Sequence, residues 1–216
     1  MNKQGKSGID YLRGGYTWNP ISGCLHGCEY CYPERLAEPL RVKKPAIIGV
    51  SFSGDMWGEW VPEEWIDEVI NICEQAHWHR FLFLTKNPTR YFESGIPENC
   101  WCGTSVSGGH FAGHYSENLR VNQLLDSAPE GRRFLSFEPF VCLTSTGADV
   151  LILSWLNMVD WVIVGGLTGK GARGCDKGDL ESIIETCRDV GVPLFIKHNA
   201  GYPEKIQEYP EDLILK

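Results

Sequence analysis

The chain has 216 residues, of which 43% are hydrophobic and 22% are charged, as in ordinary globular proteins. Its 20 lysines and arginines against 28 acidic residues give a formal net charge of −8, which disfavours a broad nucleic-acid-binding surface. The sequence has no apolar run of bilayer-spanning length and no apolar signal segment, so we expect a cytoplasmic protein with no membrane partner.

Seven short apolar segments predict β-strands, and four longer segments between them have the apolar spacing of helices. In chain order the strand candidates are YTWNPIS (16–22), AIIGVSFSG (46–54), RFLFLTKN (80–87), CWCGTSVS (100–107), RRFLSFEPF (132–140), WVIVGG (161–166) and PLFIKHN (193–199). The helix candidates are VPEEWIDEVINICEQAH (61–77), YSENLRVNQLLDSA (115–128), ADVLILSWLNM (148–158) and DLESIIETCRDVG (179–191).

This alternation of strand and helix predicts an α/β fold with a parallel sheet and right-handed crossovers. No linker or repeat divides the chain, so we predict a single domain over residues 1–216. Seven strands are one fewer than a closed eightfold barrel has, and such barrels typically need about 250 residues. We therefore predict an incomplete (β/α) TIM-like barrel of about six to seven parallel strands; the alternative is a doubly wound parallel sheet.

Polar and glycine residues gather where the predicted strands end. In parallel β/α folds ligands bind outside the carboxyl ends of the strands, so these residues are the candidates for a functional site. The segments are Ser53-Gly54-Asp55, Thr85-Lys86-Asn87, Ser105-Val106-Ser107, Glu138-Pro139, Gly165-Gly166 and Lys197-His198-Asn199.

Three of the nine cysteines lie close together, in the segment GCLHGCEYCYPERL (23–36) after the first predicted strand. In a reducing compartment Cys24, Cys28 and Cys31 are better suited to metal binding than to disulfides. A structural zinc site needs four ligands, whereas three thiolates on a 4Fe–4S cluster leave one iron open to bind another molecule. The candidates for a fourth zinc ligand are His26, Cys100, Cys102 and Cys175.

The spacing C-x-x-x-C-x-aromatic-C, with Tyr30 at the aromatic position, resembles the signature of the radical SAM superfamily. The resemblance implies that Cys24, Cys28 and Cys31 hold a 4Fe–4S cluster whose open iron binds S-adenosylmethionine. It also implies that the reduced cluster cleaves this cofactor into methionine and a 5′-deoxyadenosyl radical, which abstracts hydrogen from a substrate. An external electron donor of the flavodoxin or ferredoxin type is then required.

Further segments resemble an uncharacterised phage and prokaryotic family with a three-cysteine motif, known as phage Gp37/Gp68-like. They are TWNPISGC, GCEYCY, FLTKNP, GTSVS, SFEPF, VIVGG and FIK, and they reach from Thr17 to Lys197. The chain departs from that family in its shorter spacing between the first two cysteines. It also has Leu167 and Thr168 after VIVGG, where the family tends to have an acidic residue. The family name supplies no substrate.

The radical SAM resemblance also implies cofactor-binding roles. Tyr30 would lie beside the adenine, and Ser53, Gly54 and Asp55 would receive the methionine ammonium group; the alternatives are loop packing and an Asp-capped turn. Ser105 and Ser107 would contact the ribose or the carboxylate of the cofactor, unless they cap the Gly108-Gly109 turn. Gly165 and Gly166 would let the backbone approach the adenosyl group, although glycines also simply permit turns.

Lys86, Glu138 and Lys197 end strongly apolar strands, where a charge needs a partner or a ligand. We predict them as catalytic or substrate-binding residues; the alternative is an ion pair between Glu138 and one of the lysines. The substrate is either a small molecule or a nucleic-acid base that is modified or repaired. Arg35, Arg41, Lys43 and Lys44 would provide a basic rim for a nucleic acid. A non-catalytic zinc or iron–sulfur module is the alternative from outside the enzyme class.

Overall fold

The computed structural model of the protein describes residues 1–5, 9–12, 14–21, 33–52, 54–107, 114–140 and 153–215. Its strands are β1 (Asn2–Lys3), β2 (Tyr16–Trp18), β3 (Ile47–Val50), β4 (Arg80–Thr85), β5 (Cys100–Val106), β6 (Arg133–Phe137), β7 (Trp161–Val164) and β8 (Leu194–Ile196). Its helices are α1 (Pro33–Leu36), α2 (Glu38–Arg41), α3 (Glu63–Gln75), α4 (His114–Ser127) and α5 (Lys177–Val190), with a further helical turn at 153–156.

The eight strands form one sheet in which neighbours in space follow the order of the chain, from β1 to β8. β1 pairs antiparallel with β2, and every later pair is parallel. The predicted α/β fold with a mostly parallel sheet is therefore confirmed. All seven predicted strands are present, whereas the two-residue β1 was missed because so short a segment has no apolar period. The order has no reversal of the kind that defines a doubly wound sheet.

The sheet is open, and its last strand is protected by the chain itself. Among the described residues, β8 pairs with no strand except β7. Residues 206–208 run antiparallel along its other edge, where the Ile196 N–H donates to the Ile206 carbonyl (2.8 Å) and the Glu208 N–H donates to the Leu194 carbonyl (3.0 Å). This short cover satisfies polar groups that an exposed edge strand would present to another chain.

The helices pack on one face of the sheet. In α3 the buried residues Ile66, Val69, Ile70 and Cys73 recur at three- and four-residue spacing. They belong to one core cluster together with the strand residues that face the helices. Buried residues of α4 and α5, among them Leu124 and Ile183, belong to the same cluster. None of the helices in the described ranges is long and apolar enough to cross a membrane.

The opposite face of the sheet is filled by large side chains in its amino-terminal half. Residues two apart along each strand share a face, and this face carries a second core cluster. The cluster consists of Leu82, Trp101, Phe134, Trp161, Ile163 and Phe195, closed by Tyr11, Leu12 and Leu213. The C-terminal segment satisfies both indoles: Trp101 Nε1 donates to Asp212 Oδ2 (3.0 Å) and Trp161 Nε1 donates to the Glu208 carbonyl (3.0 Å).

Gly103 makes room for this inner layer. It pairs with Phe134 across β5 and β6, and a Cβ atom at position 103 would lie 2.4 Å from the Phe134 ring.

We expect Gly103→Ala to lower the free energy of unfolding by about 1–3 kcal/mol, the usual cost of overpacking a core. Urea denaturation measures this value. The control Gly178→Ala, on α5 with only an ordinary contact at 3.4 Å, is expected to leave stability unchanged or slightly raised. Equal stability of the two variants would contradict the packing argument.

Candidate functional site

The three clustered cysteines lie outside the described residues. Cys24, Cys28, Cys31 and Tyr30 fall within residues 22–32, and Ser53 is likewise outside the described ranges. The remaining predicted site residues are all described.

The inner face of the sheet changes from apolar to polar toward the carboxyl ends of the strands. Along β6, Phe134 is followed at two-residue steps by Ser136 and Glu138; along β8, Phe195 is followed by Lys197. The change creates a cavity of about 520 Å³ at this end of the sheet. Its lining residues are Ile9, Tyr11, Ser51, Phe52, Gly54, Asp55, Leu84, Thr85, Lys86, Ser105, Glu138 and Lys197.

The cavity therefore brings together six of the predicted site residues from five different segments: Gly54, Asp55, Lys86, Ser105, Glu138 and Lys197. Its volume lies within the range of about 300–1,000 Å³ that small-molecule sites usually have.

Hydrogen bonds to Asp55 connect the loop after β3 to the end of β4. Its carboxylate accepts hydrogen bonds from the Thr85 hydroxyl (2.7 Å to Oδ1), from the Lys86 N–H (2.9 Å to Oδ2) and from the Trp57 N–H (3.0 Å to Oδ1). These bonds hold Asp55 and Gly54 at the cavity wall. The Lys86 side chain is exposed there, and no described residue is recorded as its partner.

Glu138 and Lys197 form an ion pair across β7. Lys197 Nζ contacts Glu138 Oε2, and Glu138 Oε1 also accepts a hydrogen bond from the Ser136 hydroxyl (3.3 Å). These residues follow β6 and β8, so their side chains meet above the strand between them. Gly165 follows β7 at this point, and a Cβ atom there would lie 3.0 Å from Lys197 Cδ and 3.2 Å from Glu138 Cγ. The missing side chain leaves the space in which the pair forms.

Two residues predicted to bind the cofactor, Gly166 and Ser107, contact neighbouring parts of the chain and do not line the cavity. Gly166 lies against other backbone: a Cβ atom there would be 2.3 Å from the Asn199 carbonyl oxygen and 2.5 Å from the Arg173 carbonyl oxygen. The Ser107 N–H donates to Glu117 Oε1 (2.6 Å), a buried acid in the first turn of α4. Neither Gly166 nor Ser107 is among the residues that line the cavity.

Asp10 is a buried acid that sequence analysis missed, between the cavity-lining residues Ile9 and Tyr11. It is 4% exposed and accepts hydrogen bonds through Oδ2 from the His198 N–H (2.9 Å) and from His198 Nδ1 (2.5 Å). Burial raises the pKa of Asp10, but the two hydrogen bonds and the nearby positive charges of His198 and Lys197 outweigh it and lower the pKa. The sequence pattern that could have identified Asp10 is an acid between the apolar residues Ile9 and Tyr11, because a buried charge needs a partner.

Ser51 is a second missed residue. It is 3% exposed, lines the cavity and has a left-handed backbone conformation with φ of 55°, which is uncommon outside glycine. Within the described part of the chain, its hydroxyl has no hydrogen-bond partner. A buried hydroxyl of this kind is suited to a ligand in the cavity.

The other described cysteines lie away from the cavity. Cys73, Cys100, Cys102 and Cys187 are buried in the core between sheet and helices, and burial raises the pKa of Cys187 to about 12. Cys175, half buried, has its pKa raised by burial to about 11. Protonated thiols are poor metal ligands. Among the residues that the structure describes, no group of three His, Cys, Asp or Glu side chains is arranged to hold a metal ion.

The Asp10 contact predicts a pH dependence of stability. Because the folded-state pKa of Asp10 is lowered from its ordinary value of about 3.9, its contribution is fully present above that pH. The contribution is lost as the pH falls through the folded-state pKa. We expect Asp10→Asn to lower the free energy of unfolding near neutral pH, and the difference from the wild type to shrink below about pH 4.

Urea titrations at several pH values measure this difference. The exposed Asp67 on α3 provides the control, because Asp67→Asn removes a carboxylate with no recorded partner among the described residues. A difference between Asp10→Asn and the wild type that stays constant down to about pH 3 would contradict the assignment.

Comparison with known proteins gives a family but no activity. Residues 33–211, well over half of the chain, match the family model described as protein of unknown function (DUF5131), and the match begins just after Cys31. No curated protein and no solved structure matches the chain. The chain therefore belongs to the DUF5131 family of proteins of unknown function.

Proposed function

We propose that the protein is a radical SAM enzyme, with one partial-barrel domain over residues 1–216, that begins catalysis by reductive cleavage of S-adenosylmethionine. The observation that carries the proposal is the three-cysteine motif of Cys24, Cys28 and Cys31 in the chain segment that follows β2. The described residues on both sides of segment 22–32 lie beside the carboxyl end of β2, where Trp18 Nε1 donates to the Arg35 carbonyl (2.9 Å). In parallel β/α folds this end of the sheet binds ligands.

We further infer that the sheet is an incomplete TIM-like barrel. Strand order that follows the chain supports this, because a barrel places consecutive parallel strands side by side. Helices on one face and layers of bulky side chains on the other also support it, since the interior of such a barrel is filled by layers of side chains.

The residues present fit the two cofactors. Cys24, Cys28 and Cys31 are the soft thiolate donors that an iron–sulfur cluster requires. The unpartnered Ser51 hydroxyl and a cavity of about 520 Å³ suit a nucleoside-sized ligand with hydroxyl and charged groups. When bound, the cluster supplies the electron that cleaves S-adenosylmethionine, and the cleaved cofactor supplies hydrogen abstraction from the substrate.

The charged residues of the cavity divide into two walls. On the wall formed after β3 and β4, Asp55 fixes the loop backbone and Lys86 offers an ammonium group. On the opposite wall, Glu138 and Lys197 hold each other in place and present one acceptor and one donor side by side. We assign Asp55 to the cofactor, and Lys86, Glu138 and Lys197 to the substrate. The described cysteines are free thiols, which fits a reducing compartment such as the cytoplasm.

We favour a small-molecule substrate over a nucleic acid. Two of the residues proposed for a basic rim, Lys43 and Lys44, directly precede β3 and therefore lie near its amino end, opposite the cavity. The neighbouring Val42 carbonyl accepts from Trp78 Nε1 (2.8 Å), just before β4 begins. Lys43 Nζ lies 5.4 Å from the centre of the Trp78 ring.

Anaerobic reconstitution with iron and sulfide tests the proposal. We expect the dithionite-reduced protein to give the EPR signal of a 4Fe–4S cluster, and we expect S-adenosylmethionine to change that signal. Formation of 5′-deoxyadenosine in the same sample is the catalytic measurement. Cys28→Ala is expected to lose the signal because only two of the three thiolates remain, which are too few to hold the cluster.

Cys175→Ser is the matched control, since it removes a half-buried thiol outside the motif and is expected to keep both the signal and its response. A spectrum indifferent to S-adenosylmethionine, or tight zinc binding without a cluster, would overturn the enzyme proposal in favour of a non-catalytic metal-binding module.

A further inference from the structure

A continuous series of aromatic rings leads away from the floor of the cavity. Tyr11 lines the cavity and makes an edge-to-face contact with Trp161, with ring centres 6.0 Å apart. Trp161 in turn contacts Tyr209, with ring centres 5.5 Å apart. The Tyr209 hydroxyl donates back to the Tyr11 carbonyl (3.2 Å), so the two ends of the series are fixed to each other.

The outer end of the series opens into a second cavity. Tyr209 lines this cavity of about 350 Å³ beside the C-terminal end of α5, together with Arg188 and Glu208. The first cavity holds Tyr11 and the second holds Tyr209, and between them Trp161 is fully buried. Three redox-active side chains in ring contact therefore connect the strand-end cavity to the second cavity beside α5.

Tyr11 has the surroundings of a hydrogen-atom donor. Its side chain is buried, and Lys197 Nζ lies 5.7 Å from the centre of its ring. Burial raises the pKa of Tyr11 well above its usual value, and the charge of Glu138 adds to the rise, so the phenol keeps its proton. No described residue hydrogen-bonds to its hydroxyl, which leaves the O–H free to face a molecule in the cavity.

We propose that Tyr11 donates a hydrogen atom to a substrate radical in the strand-end cavity, and that Trp161 and Tyr209 conduct the electron that restores it. This inference rests on the proposed radical chemistry. The substrate radical gains one proton and one electron from the Tyr11 O–H and forms a C–H bond, which leaves a neutral phenoxyl radical. The electron that reduces this radical comes from a one-electron donor of the flavodoxin or ferredoxin class at the Tyr209 surface. The accompanying proton comes from water in the cavity.

The relay is testable without iron or S-adenosylmethionine. The full chain is prepared with difluorotyrosine at position 11, whose fluorine couplings distinguish its radical from every other tyrosyl or tryptophanyl radical by EPR. A soluble ruthenium photo-oxidant, too bulky to enter the cavity, then removes electrons at the surface. We expect the fluorotyrosyl signal to appear on illumination and to be largely lost in Trp161→Phe and in Tyr209→Phe.

The control is Trp101→Phe, which changes an equally buried indole that contacts Trp161 at 6.4 Å but does not lead to Tyr209. This variant is expected to keep the signal. Tyr209→Phe changes a half-buried ring and serves as the second variant if Trp161→Phe does not fold. Absence of the signal in the otherwise wild-type protein, or equal signals in all variants, would overturn the relay.

A second measurement separates this inference from the proposed function. The reconstituted protein is reduced with S-adenosylmethionine in heavy water, and the 5′-deoxyadenosine formed without substrate is analysed by mass spectrometry. Incorporation of deuterium that is lost in Tyr11→Phe supports donation from the exchangeable Tyr11 hydroxyl. Product with unchanged deuterium in Tyr11→Phe overturns the role of Tyr11 and leaves the enzyme proposal standing. No product at all overturns both.

Discussion

An ion pair between two strands that are not neighbours organises the cavity end of the sheet. Glu138 and Lys197 would each be an isolated charge above an apolar layer, and isolated charges in such places are costly. Together they satisfy each other, and Gly165 on the intervening strand leaves the space that they occupy. The pair adjoins Tyr11, and the charge of Lys197 also acts on Asp10. The position of the N-terminal segment against the sheet is thus tied to the same contact.

Local patterns in the sequence identified most of the architecture. The seven apolar runs, the helical spacing and the polar residues at strand ends are properties of short segments, and they predicted the edge of the sheet at which the cavity lies. The sequence could not decide whether Glu138 pairs with Lys197 or with Lys86, because the pairing depends on strand order and register across 59 positions of sequence. Asp10 and His198 are 188 positions apart, and no local pattern relates them.

The described cysteines belong to the helix-facing side of the sheet. On the helix-facing side Cys73, Cys102 and Cys187 are small core residues, and burial raises the pKa of each of these thiols. In the chain, residues 22–32 follow the carboxyl end of β2. The iron–sulfur chemistry proposed for Cys24, Cys28 and Cys31 therefore rests on the spacing of these three cysteines in the sequence.

The floor of the cavity contains tryptophan and tyrosine where leucine or phenylalanine would fill the same space more simply. Each buried indole N–H needs an acceptor, and the chain supplies them from residues near its C-terminal end: the Asp212 carboxylate for Trp101 and the Glu208 carbonyl for Trp161. The same region covers the open edge of β8. A purely apolar floor would need none of these bonds. Hydrogen bonds to residues near the C-terminal end thus fix the orientation of Trp101 and Trp161 below the cavity, whereas the cavity walls above them carry charged residues.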